Sequence, residues 1–548
     1  MDPLRVGTRV GVVLAGFLAL WLLSRLERQQ PASEHSLRDR IRERLLFGLP
    51  IGTVIVVVVV ASVYLFLQGG YGHRELLTIP FVSWSLRYPL GMITAPLAHE
   101  SLGHLVSNLT GFLVFGSLAE YALGHYPRTR GRAAFDAWWS NPYWRAMVLF
   151  PGGTLLIASL TSLFAWGPII GFSGVVFAAA GFALVHMPLL AVVGLLAREF
   201  LTTIYWTLRD PIVTASAGST YSTPWWADVA VQTHLLGLLL GVAAGLAVYV
   251  VIPDEKRPSP WRLFVGSLLV GSALTLWALW WYQGTSSYRL FRGPGLLLLL
   301  GVALLLTVAA SRRSSPVDGV DPRTFGLLLV LVPILAIGAV AVPINLTATG
   351  GIQAPGEAIT VQDYEVSYGE SVPDPRYVPV NDSVFESPDP PTATGVIVAS
   401  QHRHLFTEAV SAGRLEDAGS RTVVLGGIGW RESITVERTG WRAIGGESTF
   451  RVSAYTSAGE RRLLHTDDPA HAEATIDGRE LAIRPTDAGF ELVVETQPED
   501  NATVVPSKTT LPEPSNTTCI AGLSVTRENE TLVVERNRTR VPLFEATS

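Results

Sequence analysis

Apolar runs of about twenty residues recur through the first 344 positions and then stop, and that break constrains the fold more tightly than any other feature of the sequence. A helix needs about twenty apolar residues to cross roughly 30 Å of hydrocarbon. Ten runs qualify: 8–24, 47–68, 97–119, 146–166, 171–189, 190–208, 228–251, 261–282, 292–310 and 324–344. Arg5 and Arg9 precede the first run in the manner of a signal peptide, but an Arg-rich segment follows it and no small-residue cleavage site does, so it reads as a membrane helix.

The arginines give an orientation. Loop 25–46 carries Arg25, Arg28, Arg38, Arg40, Arg42 and Arg44, and loop 120–145 carries Arg128, Arg130, Arg132 and Arg145. Lys256 and Arg257 lie in 252–260, and Arg312, Arg313 and Arg323 in 311–323. These four loops alternate so as to share the cytoplasmic side. Loops 69–96, 167–172 and 209–227 then face outward together with everything after 344. Six N-x-S/T sequons, at Asn345, Asn381, Asn501, Asn516, Asn529 and Asn537, agree with an outer tail.

Beyond 345 the period changes from helical to two. Gly395–Ser400, Ser433–Arg438, Thr449–Tyr455, Leu481–Arg484, Phe490–Thr496 and Thr531–Glu535 alternate apolar and polar residues between Gly, Pro, Asp and Asn. This predicts an antiparallel all-β domain, with Pro/Ser/Thr-rich stretches at 368–392 and 497–517. Residues 1–344 hold 24 basic and 16 acidic side chains, whereas 345–548 hold 17 and 30, so nucleic acid is not an expected partner. Cys519 is the single cysteine and no intrachain disulfide exists.

Polar groups inside apolar runs are costly and mark function. The third run reads His99-Glu-Ser-Leu-Gly-His104-Leu-Val-Ser-Asn108, with His104 and Asn108 one helical turn apart on one face. Gly171-Phe172-Ser173-Gly174 opens the fifth run. A serine there is ordinarily a cap, but bare flanking glycines and unpartnered first-turn N–H groups also suit a developing oxyanion. His234-Leu-Leu-Gly237-Leu-Leu-Leu-Gly241, continuing to Gly245, lets helices approach closely. Gly174, Ala178 and Gly181 offer the counter-surface, and docking the two stripes sets His234 beside Ser173 as base and nucleophile. No carboxylate stands beside His234: Glu120 and Asp210 are at helix ends and Asp228 near the outer boundary, so a dyad is expected. Gly103 occupies the second-histidine position of H-E-x-x-H, which disfavours zinc, and no cofactor or metal is implied.

These three motifs, in this order, resemble the rhomboid family of intramembrane serine proteases, with smaller echoes at Thr94, Gly116, Glu120 and Gly124. The resemblance covers about 47–252, a six-helix core, with an extra helix in 1–46, three more in 253–344, an amphipathic insert around 133–145 and the β domain in 345–548. It implies a Ser173–His234 dyad that cleaves transmembrane or membrane-adjacent segments of other proteins. It also implies His104, Asn108 and the Ser173 N–H as oxyanion donors, His99 in support, and Phe177 against His234. Outer loops 69–96 and 209–227 would frame the site, with Trp84, Tyr88, Trp225 and Trp226 at the interface. Two other readings stay open: a rhomboid-like pseudoprotease that binds membrane proteins, and a membrane-anchored adhesin working through its β domain. A transporter would want paired midplane charges or an internal repeat.

Overall fold

The computed structural model describes residues 3–29, 37–126, 135, 137–213, 223–227, 229–251, 257–284, 287–346, 352–375, 392–496, 507–537 and 539–547. The sequons at Asn381 and Asn501, together with Asp228, Lys256 and residues 133, 134 and 136 of the insert around 133–145, lie outside these residues. The chain forms two compact units, one holding nearly all of 1–347 and the other 348–548 with two short segments, 220–223 and 282–287.

Ten helices build the first unit among the described residues: α1 (Pro3–Gln29), α2 (Ile51–Ser62), α3 (Leu102–Leu123), α4 (Phe150–Leu163), α5 (Ser173–His186), α6 (Pro188–Arg209), α7 (Val231–Val251), α8 (Pro260–Ala273), α9 (Arg292–Ser311) and α10 (Pro322–Leu346). Short helical pieces lie between some of them. A π turn, Val63–Leu67, extends α2, and Pro142–Trp144 with a second π turn, Arg145–Leu149, leads into α4. Seven of the resulting helices are long and apolar enough to cross a membrane. The core is a continuous cluster around α3, α5 and α7, including Phe112, Phe115, Val176, Leu184, Leu239 and Tyr249.

Helix α5 is the exception that positions the site. Its 14 residues rise about 21 Å at 1.5 Å each, short of the roughly 30 Å hydrocarbon layer. With His186 at one surface, Ser173 starts about 10 Å below the other. The segment is helical because alanines and branched apolar residues fill it, and it stops where Pro188 forces the break that opens α6.

Three expectations need correction. The run 261–282 is not one continuous helix: α8 ends at Ala273, Thr275 takes a left-handed φ of 61°, and the turn drops onto α9 at Gly295. A Cβ on Gly295 would lie 1.7 Å from the Trp277 carbonyl oxygen, so only glycine admits that approach. Helix α3 begins at Leu102, not near 97, with the Ser101 hydroxyl accepting from the His104 N–H at 3.1 Å; His99 therefore lies in the approach to the helix and not on it. Trp84 and Tyr88 are buried anchors, because Trp84 Nε1 donates to the Ile79 carbonyl at 2.7 Å and the Tyr88 hydroxyl to the Pro80 carbonyl at 3.1 Å. Trp225, by contrast, is exposed.

The second unit is antiparallel throughout. Strands β1 (Ala358–Val361), β2 (Tyr364–Pro373), β3 (Thr392–Ser400) and β4 (Leu405–Ser411) form one sheet in chain order. A second holds β5 (Ser420–Gly427), β6 (Trp430–Ala443), β7 (Ser448–Thr456), β8 (Arg461–Thr466) and the C-terminal strands β13 (Thr517–Ile520), β14 (Leu523–Glu528), β15 (Thr531–Arg536) and β16 (Thr539–Thr547). Its order is β8-β7-β6-β16-β15-β14-β13, with β5 also on β6. A third comprises β9 (Ala470–His471), β10 (Arg479–Pro485), β11 (Phe490–Thr496) and β12 (Ser507–Thr510).

Alternation along β7 does not become alternating burial, since both faces are covered from Thr449 to Ala454. The Arg451 guanidinium is accommodated there by the Ser453 hydroxyl at 3.3 Å and the Asp487 carbonyl at 3.1 Å. In the first unit, the sequon at Asn345 is closed to modification in the folded chain. Its amide is buried and donates to the Leu163 and Ala165 carbonyls at 3.1 and 2.8 Å.

Candidate active site

Helices α5 and α7 make the most extensive interhelical contact in the first unit, and their glycines explain it. A Cβ on Gly237 would fall 2.0 Å from the Gly174 carbonyl oxygen, one on Gly241 1.8 Å from that of Ala178, and one on Gly181 2.4 Å from that of Leu238. The backbones touch, as small residues four apart allow in an apolar medium. Gly174 is also pressed against Thr161 of α4.

That contact carries His234, in the first turn of α7, to the start of α5. His234 Nε2 and Ser173 Oγ are 2.8 Å apart. Ser173 is the first residue of α5, the capping position belongs to Phe172, and no side-chain cap forms there. The hydroxyl is thus committed to the imidazole. The ring stacks on Phe177, one turn along α5, with centroids 4.2 Å apart and planes 13° from parallel. His234 Nδ1 is shielded from solvent and has no hydrogen-bond partner among the described residues, none of whose carboxylates orients it.

The segment leading into Ser173 is fixed from the other side by α3. The Gly171 N–H donates to the Ala95 carbonyl at 2.9 Å, and φ at Gly171 is 127°. A Cβ there would sit 2.6 Å from His104 Cε1, 2.7 Å from its Nε2 and 3.6 Å from Asn108 Nδ2. Glycine is needed both for the backbone conformation and for the approach. His104 and Asn108 therefore flank the peptide before Ser173. Asn108 Nδ2 lies 3.1 Å from His99 Nε2, and the His99 and His104 rings meet edge to face at 5.1 Å. In the tautomer that leaves His99 Nε2 bare, one amide hydrogen of Asn108 is spent on it and the second remains free. At the start of α5 the Val175 and Val176 N–H groups donate to the Phe172 carbonyl at 3.1 and 3.2 Å, which leaves those of Ser173 and Gly174 as the candidate donors of the first turn. A nucleophile–base pair beside several N–H donors is what acyl transfer requires.

Residues 87–251 match the family model for the Rhomboid domain. The chain carries a rhomboid domain. Together with the seven apolar helices, that makes it a multi-pass membrane protein. No curated protein and no solved structure matches the chain.

Three polar groups support the site from a distance, and none of them had its partners legible in the sequence. Gln68 is buried at the end of α2's π turn, where its side chain accepts from the His99 N–H and donates to the His99 carbonyl, both at 2.8 Å. A lone glutamine ahead of two glycines gives no hint of so distant a partner. Arg198 of α6 donates to the Ser107 hydroxyl at 2.6 Å and to Glu199 at 3.0 Å, although an Arg-Glu pair inside an apolar run was a visible flag. Glu120 closes the opposite end of α3. Its carboxylate accepts from the Gly52 and Thr53 N–H groups at 2.8 Å, the Thr53 hydroxyl at 2.7 Å and His125 Nε2 at 2.6 Å. His125 Nδ1 in turn accepts from the Leu46 N–H at 2.8 Å, which fixes the proton on Nε2.

Proposed function

We propose that the protein is an intramembrane serine endopeptidase whose Ser173–His234 dyad cleaves transmembrane or membrane-adjacent segments of other membrane proteins. The single observation that carries this reading is the 2.8 Å Ser173 Oγ–His234 Nε2 contact, with the imidazole stacked on Phe177. The rhomboid domain supports it, because that family consists generally of intramembrane serine proteases.

In this mechanism Ser173 Oγ attacks the scissile carbonyl carbon while His234 Nε2 takes the hydroxyl proton. The oxyanion is held by the Ser173 N–H with Asn108 and His104, and His99 positions Asn108. Collapse breaks the C–N bond, and His234 delivers its proton to the leaving amine. Water then attacks the ester, losing a proton to His234 that returns to Ser173 Oγ as the acid leaves. The arginine distribution puts the site near the outer surface of the cell membrane and the C-terminal β unit outside.

The test is labelling of the purified full-length protein by a fluorophosphonate probe. Wild type is expected to label and both Ser173→Ala and His234→Ala to lose the signal by at least about a thousandfold. Equal labelling of Ser173→Ala, or none in well-folded wild type, would overturn the dyad and leave a rhomboid domain that binds membrane proteins without cutting them.

A further inference from the structure

At the end of the first unit opposite Ser173, a cavity of about 350 Å³ opens between the α5–α6 corner and the start of α8. It falls in the size range of small-molecule sites. Arg257 and Arg262 line it, and so do Pro188, Leu189 and Leu190 at the start of α6 and Ser259 before α8. Arg257 donates through Nη1 to the Arg312 carbonyl, one of its five N–H donors. Arg262 is exposed.

Among the described residues, Arg323 is the cation that acts on Arg257. Burial lowers its pKa from the ordinary value and the neighbouring Arg323 lowers it further, against an opposing pull from Asp321. The Asp321 carboxylate is itself engaged, accepting from the Arg323 and Thr324 N–H groups at 2.9 and 3.4 Å. A guanidinium held among cations in a partly desolvated cavity gains from an anion. The rim is apolar on the α6 side, where Leu189 and Leu190 are 55% and 47% exposed. A soluble anion has no use for that rim, but an acyl chain below a headgroup does.

We infer that this cavity binds the phosphate of an anionic membrane lipid, with Arg257 and Arg262 on the phosphate and the acyl chains along Leu189 and Leu190. The site is independent of the dyad and does not depend on proteolysis.

Native mass spectrometry of the full-length protein in detergent, supplied with equal amounts of phosphatidylglycerol and phosphatidylcholine, tests it. Wild type is expected to retain phosphatidylglycerol about tenfold over phosphatidylcholine, as two charge-assisted contacts allow. The double variant Arg257→Gln/Arg262→Gln should bring that ratio near one, and Arg257→Lys/Arg262→Lys should keep most of it. Arg313→Gln, another cation of the same loop region outside the cavity, should leave the ratio unchanged. Equal retention of both lipids by wild type would overturn the proposal, as would an unchanged ratio in the Gln double variant or the same loss in Arg313→Gln. Inorganic phosphate that displaces the lipid at matching concentration would reassign the cavity to a soluble anion.

Discussion

A histidine with one ring nitrogen committed to a serine and the other without a partner among the described residues has no second polar contact there to fix its plane. In His234 that task falls to Phe177, whose ring lies 13° from parallel at 4.2 Å. Phe177→Ala is therefore expected to slow fluorophosphonate labelling about ten- to a hundredfold, as misplacement of a reacting group does, while Phe177→Tyr stays near wild type. Unchanged labelling in Phe177→Ala would mean that helix packing alone aims the imidazole. Two carboxylates of the β unit carry opposite pH signatures. Burial alone would raise Asp363, but the Arg403 hydrogen bond and charge, with the Ser400 hydroxyl, hold it below its ordinary 3.8. A lowered folded pKa gives stability that is present above the unfolded value and lost as pH falls through the folded one. Burial raises Glu408 above its ordinary 4.5 despite the Thr394 N–H, so its contribution is complete in acid and lost as pH rises. Thermal unfolding of the full chain should show Asp363→Asn less stable near neutrality, with the deficit shrinking only below the ordinary carboxylate range. Glu408→Gln should be more stable near neutrality, with the gain shrinking below the ordinary carboxylate range. A deficit that grows toward acid would contradict the Asp363–Arg403 pairing.

At the scale of elements, backbone contact between α5 and α7 sets the serine–histidine distance. Gly241→Ala places a methyl 1.8 Å from the Ala178 carbonyl oxygen, a backbone atom that cannot swing away. Its expected cost is about 2–3 kcal/mol, in the range of overpacked cores, with labelling lost alongside stability. Gly152→Ala in α4, where nothing lies within 4 Å, should be silent; a destabilised Gly152→Ala with an unaffected Gly241→Ala would refute this packing account. The stripe was legible in the sequence because small residues at four-residue spacing have one geometric meaning in lipid. So was the pairing of His104 with Asn108, which needs only helical periodicity. What escaped depended on distant partners. The apolar run through 261–282 conceals the turn onto Gly295, since hydropathy does not register a close backbone approach. His99 read as a helical residue until Ser101 proved to be the cap, and nothing local ties it to Gln68, thirty-one positions earlier.

For the whole molecule, the open question is which side of the membrane each end occupies, and the chain carries its own reporter. Cys519 is the only cysteine in the sequence, lies on β13 of the C-terminal unit and is exposed. The arginine-rich loops put an even number of crossings between the cell exterior and the far end of the chain, provided that α8, at 14 residues, still counts as a crossing or a re-entrant equivalent. This makes the orientation sensitive to one short helix, and the sequons at Asn516 and Asn529, both exposed, do not remove the dependence because exposure alone does not prove modification. An impermeant maleimide applied to intact cells should label Cys519 at once and leave Cys519→Ser unlabelled. If Cys519 reacts only after lysis, the β unit is internal and α8 does not act as a crossing. The basic cavity at Arg257 and Arg262 would keep its lipid chemistry in either case, since anionic headgroups are recognised by charge and not by compartment. The Ser173–His234 pair would be untouched as well, because α5 and α7 fix it locally. Only the side on which the β unit lies would change.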